Sequence, residues 1–200
     1  MAGTQKIKLP TGYMGKILKV DLTSLQFQTE PLDLRLAECF FGGRGLGAAL
    51  LFKHFLDVQQ QDKYKNAFAE VDPLSDDNVI IISTAPCTGT RVPSSSRMHM
   101  NFKSPLTGIY GSTNTGGKWS VEFKRTGYDA VSISGKAEKP TYLLITNNEV
   151  KFCDAGDICE LDAVDKRIWH QFDESENLIQ RDDILPNVSL TRRTRFSAIS

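Results

Sequence analysis

The chain has 200 residues, 24 Lys and Arg against 24 Asp and Glu, a formal net charge of zero, and 40% apolar residues. This balance excludes a disordered chain and offers no global field for nucleic acid or an anionic membrane, so any anion site must be local. The basic N-terminus MAGTQKIKLPTGYMGK has no apolar run behind it and no stretch approaches the length of a membrane span, so a cytoplasmic protein is expected.

Gly15 to Leu22 (GKILKVDL) reads as a strand that turns at Thr23-Ser24, and Gln26 to Glu30 as the second arm of a hairpin closed by Pro31. Leu34, Leu36, Ala37, Phe40 and Phe41 recur at helical spacing, with Asp33 as N-cap and Gly42-Gly43 as the stop. Leu46 to Leu56 predicts a second, more buried helix. Asp57 to Asp77 is polar and reads as a surface excursion before the chain turns back at Asp72-Pro73-Leu74. Val79 to Ser83 (VIIIS) has the composition of a strand buried on both faces. Strands are predicted at Arg97 to Lys103 and Gly108 to Gly111, then a helix over Gly117 to Thr126. Ala130 to Ser134, Thr141 to Ile145 and Glu149 to Phe152 follow as strands, the last two joined by a turn at Asn147-Asn148. Leu161 to Phe172 predicts a closing amphipathic helix. With no repeat and no linker, the simplest reading is one strand-rich α+β domain over residues 1–200.

Several motifs carry little chemistry. Cys39, Cys87, Cys153 and Cys159 form no CxxC, which argues against an autonomous zinc or iron–sulfur site. Gly43 to Ala48 (GRGLGA) matches GxGxxA but follows a helix-like run, and Asp62, the acid at the right distance, sits in a polar loop. It reads better as a glycine corner between helices, with Arg44 exposed or paired to a carboxylate. His54, His99 and His170 have no metal-ligand spacing, and Ser94-Ser95-Ser96 lacks a nucleophile elbow.

Thr84 to Gly117 is different. It is rich in small and turn-forming residues, from which Arg91, Arg97, Lys103 and Asn114 stand out. Gly and Ser bring backbone N–H groups close to an anion, and a fixed arginine adds charge-assisted hydrogen bonds to phosphate oxygens. Gly116-Gly117 opens the predicted helix at Lys118, so its uncapped N–H groups and positive dipole end join Arg97 and Asn114 in an expected phosphate cradle. On residue chemistry alone, SPLTG and NTGG read equally well as tight turns in a sheet protein.

The order MGKILKVDL, FGGRGLGAALL, DPLS, STAPCTGT, SSSR, KSPLTG, NTGG, GYDAVSISGKAEKP and FCDAGDI, over about residues 14–160, resembles the N-terminal domain of the aldehyde ferredoxin oxidoreductase family. The resemblance implies an α+β base of two β-sheets with flanking helices. On such a base lie two pyranopterins that chelate one tungsten, or molybdenum in its place, and are joined through Mg2+ at their phosphates. It implies a tungsten enzyme that oxidises aldehydes to carboxylic acids and passes electrons to ferredoxin. By the same resemblance Arg97 matches an arginine that meets a pterin phosphate, Asn114 a position whose backbone carbonyl helps hold the bridging Mg2+, and Gly116 a neighbouring pterin contact; Gly117 and Lys118 complete the expected cofactor-binding set.

The departures define the limits of that expectation. The family's 4Fe–4S cluster ligands and catalytic side chains belong to later domains, so this chain is expected to be inactive alone and to need those domains or a separately encoded catalytic chain. The segment from Gln180 to Asn187 is unusually polar. Arg192, Arg193 and Arg195 in VSLTRRTRFSAIS stand where the family has small residues, before an expected strand of the RFSAI type. Lys118 occupies a position that is commonly aromatic or small. The competing expectation is a non-catalytic remnant or interaction module that keeps the fold without the metal.

Overall fold

The computed structural model describes residues 11–146 and 149–155 throughout, and beyond them the backbone of three short strands. The elements are β1 (Lys16–Asp21), β2 (Gln26–Pro31), α1 (Leu34–Phe40), α2 (Gly43–Gln59), α3 (Ala67–Glu70), β3 (Val79–Thr84), β4 (Met98–Lys103), β5 (Tyr110–Thr115) and α4 (Lys118–Arg125). They continue with β6 (Ala130–Ser134), β7 (Thr141–Ile145), β8 (Val150–Asp154), β9 (Gln171–Phe172), β10 (Leu178–Ile179) and β11 (Thr194–Ser197). A six-stranded sheet runs in the order β2-β1-β6-β3-β4-β5, a three-stranded sheet in the order β11-β7-β8, and β9 pairs with β10. In the large sheet β1 and β6 are parallel and every other neighbouring pair is antiparallel. The expected α+β architecture of two sheets with flanking helices is therefore present, and β11 places residues 195–197 of the expected RFSAI strand beside β7.

Period-2 alternation decides which face each strand residue covers. Val79 and Ile81 join Leu51, Phe55, Val58, Ala67 and Val71 beneath α2 and α3, while Ile82 packs on the opposite face with Leu18, Val20, Phe123, Leu143 and Ile145. Strand β3 is thus buried on both faces, as its composition predicts. Asp33 caps α1 by accepting from Arg35 N at 2.8 Å, and Asp21 closes the first hairpin by accepting from Thr23 N and Ser24 Oγ.

Four expectations are corrected. Gly42-Gly43 does not simply stop α1: Gly42 is the N-cap of α2, which starts three residues before Leu46 because its first glycines lie directly on the sheet. The excursion from Asp57 to Asp77 is anchored, since Ala67 and Val71 are buried and the buried Lys103 ammonium donates to Ala69 O at 3.1 Å and Val71 O at 2.6 Å. Lys103 is therefore a structural clamp, away from any cradle. The strand expected at Gly108 to Gly111 begins at Tyr110 and runs on through Thr115; its Ser-Thr-Asn-Thr segment hides from hydropathy because β5 is a mostly exposed edge strand. KSPLTG forms the turn of this hairpin, where Gly108 at φ +70° closes on Ser104 O. Finally, Gln171 and Phe172, the end of the expected closing helix, form a strand with Leu178 and Ile179; the rest of Leu161 to Phe172, with His170, lies outside the described residues, as do Asn147 and Asn148. No helix among the described residues is long and apolar enough to cross a membrane.

Candidate anion-binding site

The loop from β3 to β4 carries Arg97 to its place, and Thr88 pins that loop. The buried Thr88 hydroxyl accepts from Ala85 N at 3.2 Å and faces Arg97 O at 3.2 Å and Ser95 O at 3.3 Å, so one side chain ties both ends of the loop together. Thr88→Val keeps the shape but strands these backbone groups, and is expected to lower stability by about 1–3 kcal/mol. Urea unfolding checks this: an unchanged midpoint contradicts the assignment.

Arg97 stands immediately before β4 and is exposed, yet its guanidinium is oriented: Nη1 donates to Asn114 Oδ1 at 2.8 Å. Asn114 sits on β5 opposite His99 of β4, which places Arg97, His99 and Asn114 on one face of the sheet. Gly116 follows directly. A Cβ there would stand 3.5 Å from Ser96 O and 3.7 Å from Arg97 Nε, ordinary contact distances, so the fold itself does not require glycine at this position. Gly117 does need to be glycine, because as N-cap of α4 it has φ +87°. No side chain caps α4 and no acid stands in its first turn, which leaves N–H groups and the positive dipole end beside exposed Lys118.

The structure thus brings Arg97, Asn114 and Gly116 into contact or near contact and places Gly117 and Lys118 next in the chain. Asn114 lies within a strand, not in a turn, and because β5 is an edge, alternate carbonyls of that strand face away from the sheet. Arg91 is exposed and Lys103 is committed elsewhere. His99 is half-buried with its Nδ1 shut off from solvent and, among the described residues, without a hydrogen-bond partner. Burial above all, and then the charges of Arg44 and Arg97, hold its imidazole below the usual histidine range. Among the described residues no ion pair involves Arg44, Arg97 or Lys118. His99 was assigned no role from sequence; the signal was the Arg-x-His spacing, which on a strand puts both side chains on one face.

Other features lie apart. A concavity of about 410 Å³ opens between the β1–β2 turn and β7–β8, lined by residues such as Leu25, Lys139 and Phe152, on a different part of the molecule. Cys39, Cys87 and Cys153 are free thiols, and no group of three His, Cys, Asp or Glu among the described residues could hold a metal ion.

Comparison with known proteins places the chain in a family. A family profile described as "Aldehyde ferredoxin oxidoreductase, N-terminal domain" matches residues 17–180. The tungsten-containing aldehyde ferredoxin oxidoreductase of Pyrococcus furiosus is 37% identical over 147 residues, covering 74% of this chain and 22% of that protein. Its counterpart in Pyrococcus abyssi is 38% identical with the same coverage. Among solved structures, the active site complex BamBC of benzoyl coenzyme A reductase with 1,5-dienoyl-CoA aligns with a TM-score of 0.71 at 28% identity, covering 79% of this chain and 22% of that one. The chain therefore spans about a fifth of the length of the curated relatives it matches. With the profile covering the six-stranded sheet and β7 and β8 of the smaller one, this chain belongs to the aldehyde ferredoxin oxidoreductase family and corresponds to its N-terminal domain.

Proposed function

We propose that this chain is the base on which the phosphates of a tungsten–pyranopterin cofactor rest, as part of an aldehyde:ferredoxin oxidoreductase whose catalytic and cluster-bearing domains lie in further sequence or in a separate chain. The observation that carries the reading is the Arg97 guanidinium, fixed by Asn114 beside Gly116 and the uncapped end of α4, with no carboxylate paired to it among the described residues. That is an oriented cation without a counter-anion, which fits a phosphate.

Each residue has a defined part. Arg97 donates charge-assisted hydrogen bonds to phosphate oxygens, and Asn114 holds its guanidinium in position while offering a backbone carbonyl on an edge strand to a bridging Mg2+. Gly116 leaves room for the ligand, Gly117 turns the chain into α4, and Lys118 adds positive charge. When bound, the cofactor would supply the two-electron oxidation of an aldehyde to a carboxylic acid, with electrons passed on through a 4Fe–4S cluster to ferredoxin. The tungsten in the names of the relatives and the one-fifth coverage of their length support this division of labour.

Metal analysis and pterin fluorescence on the chain co-expressed with the remaining domains are expected to find tungsten or molybdenum with pterin; a preparation devoid of metal and pterin overturns the reading in favour of a fold kept without its metal. Arg97→Ala is expected to lower occupancy by loss of about 1.5–3 kcal/mol of binding. Gly116→Ala is expected to leave the unfolding midpoint in place while lowering occupancy, because its Cβ meets the protein at ordinary distances but would stand where the ligand approaches. Unchanged occupancy in both variants counts against the assigned roles.

A further inference from the structure

Two groups on the Arg97 face remain unexplained by that reading. Gly43 has φ +53° and lies against the His99 ring, so close that a Cβ there would stand 2.9 Å from His99 Cδ2. This contact seats the first turn of α2 over β4, so exposed Arg44, the second residue of α2, directly follows the residue that touches the imidazole. The face therefore presents two guanidiniums near one imidazole, with no ion pair to either guanidinium among the described residues. Burial first, and then those two charges, hold the imidazole below the usual histidine range, which favours a hydrogen-bonding role over that of a third cation. Its buried Nδ1 has no hydrogen-bond partner among the described residues. Such a concentration of unpaired positive charge stands out in a chain whose formal net charge is zero.

We propose that Arg44 and His99 belong to the anion site, Arg44 as a second guanidinium for the phosphate that Arg97 meets and His99 as a hydrogen-bonding group beside both. The inference rests on the reading of Arg97 as a phosphate contact. A planar guanidinium presents paired N–H donors that match two oxygens of one phosphate, so two of them suit a dianionic phosphate monoester or a pyrophosphate better than a singly charged anion. Neither residue needs to move far from its present element: the Gly43 contact positions Arg44, and the β4–β5 register positions His99 opposite Asn114.

Inorganic pyrophosphate titrated into the purified 200-residue chain tests this, followed by the ring-nitrogen NMR resonances of His99 and by calorimetry. Saturable binding that shifts the His99 resonances is expected, with Arg44→Ala and Arg97→Ala each weakening it about tenfold or more, the loss of one charge-assisted contact. Arg125→Ala, which removes an exposed partner of Glu122 at the other end of α4, is expected to leave binding unchanged. Arg44 is exposed and in no ion pair with a described residue, so its removal leaves the fold intact and the loss reports the ligand. Wild-type affinity in Arg44→Ala beside weakened Arg97→Ala overturns the second cation and leaves the Arg97 reading standing. Unchanged binding in both variants, or none in the unmodified chain, overturns the Arg97 reading and this inference with it.

Discussion

Replacing Asp129 by Asn is expected to remove about 3–5 kcal/mol of stability, the cost of leaving a buried charge without its partner. Asp129 is fully buried, and its carboxylate accepts from Lys124 Nζ, from Met14 N at 3.0 Å and from Gly15 N at 2.7 Å. An amide of the same shape turns one acceptor edge into a donor, which then faces an N–H or an ammonium. Lys124, almost equally buried, loses its counter-charge. The damage reaches the site through the backbone: Thr84 N and Oγ1 both donate to Asp129 O, at 2.9 and 3.1 Å, and Thr84 ends β3 where the Arg97 loop begins. Thermal or urea unfolding followed by circular dichroism measures the loss. A companion double variant, Lys124→Met with Asp129→Asn, is expected to recover part of it because the uncompensated ammonium is gone. Equal stability of single variant and wild type, or no recovery in the double, would show that the buried Lys124–Asp129 pair does not stabilise the fold in this way.

The second large effect is expected from Gly47→Ala, where the general rule has the opposite sign. In an ordinary helix interior this change gains about 0.8–1 kcal/mol. Here the new Cβ would fall into the Asn101 amide, 2.6 Å from its Cγ and 2.8 Å from Ser83 Oγ. Asn101 cannot swing aside cheaply, because it is fully buried, its Oδ1 accepts from Tyr110 OH at 2.7 Å and its Nδ2 donates to Ile81 O at 3.4 Å. Either that network breaks or α2 lifts from β3 and β4, and overpacking of this kind costs about 1–3 kcal/mol. A net loss of stability is therefore expected, read from the unfolding midpoint. Asn101→Ala opens the space, so combining it with Gly47→Ala should cost less than the two single losses added together; strict additivity would sink the clash argument.

Much of this was legible from residue order. Asp33 reads as an N-cap and is one, because capping is local and needs only a short polar side chain before a helical run. VIIIS reads as a doubly covered strand and is one, since no polar residue interrupts it until Ser83. β5 was misplaced because an edge strand of Ser, Thr and Asn carries no hydrophobic period, and its existence depends on hydrogen bonding to β4. The early start of α2 was missed because glycines signal a break locally, whereas here Gly42 and Gly43 serve contacts with residues more than forty positions away.

By itself, the sequence determined the family and the two-sheet α+β class, because motif order and strand composition are local properties. Only the tertiary structure decided which cations share a face. It sent Lys103 to the carbonyls of α3 and its neighbour, tied Arg97 to Asn114, and laid Gly43, at the start of α2, against the His99 ring. The physical reason is that these pairings follow from strand register and from the close approach of α2 to the sheet, both set by long-range backbone contacts that no local window contains.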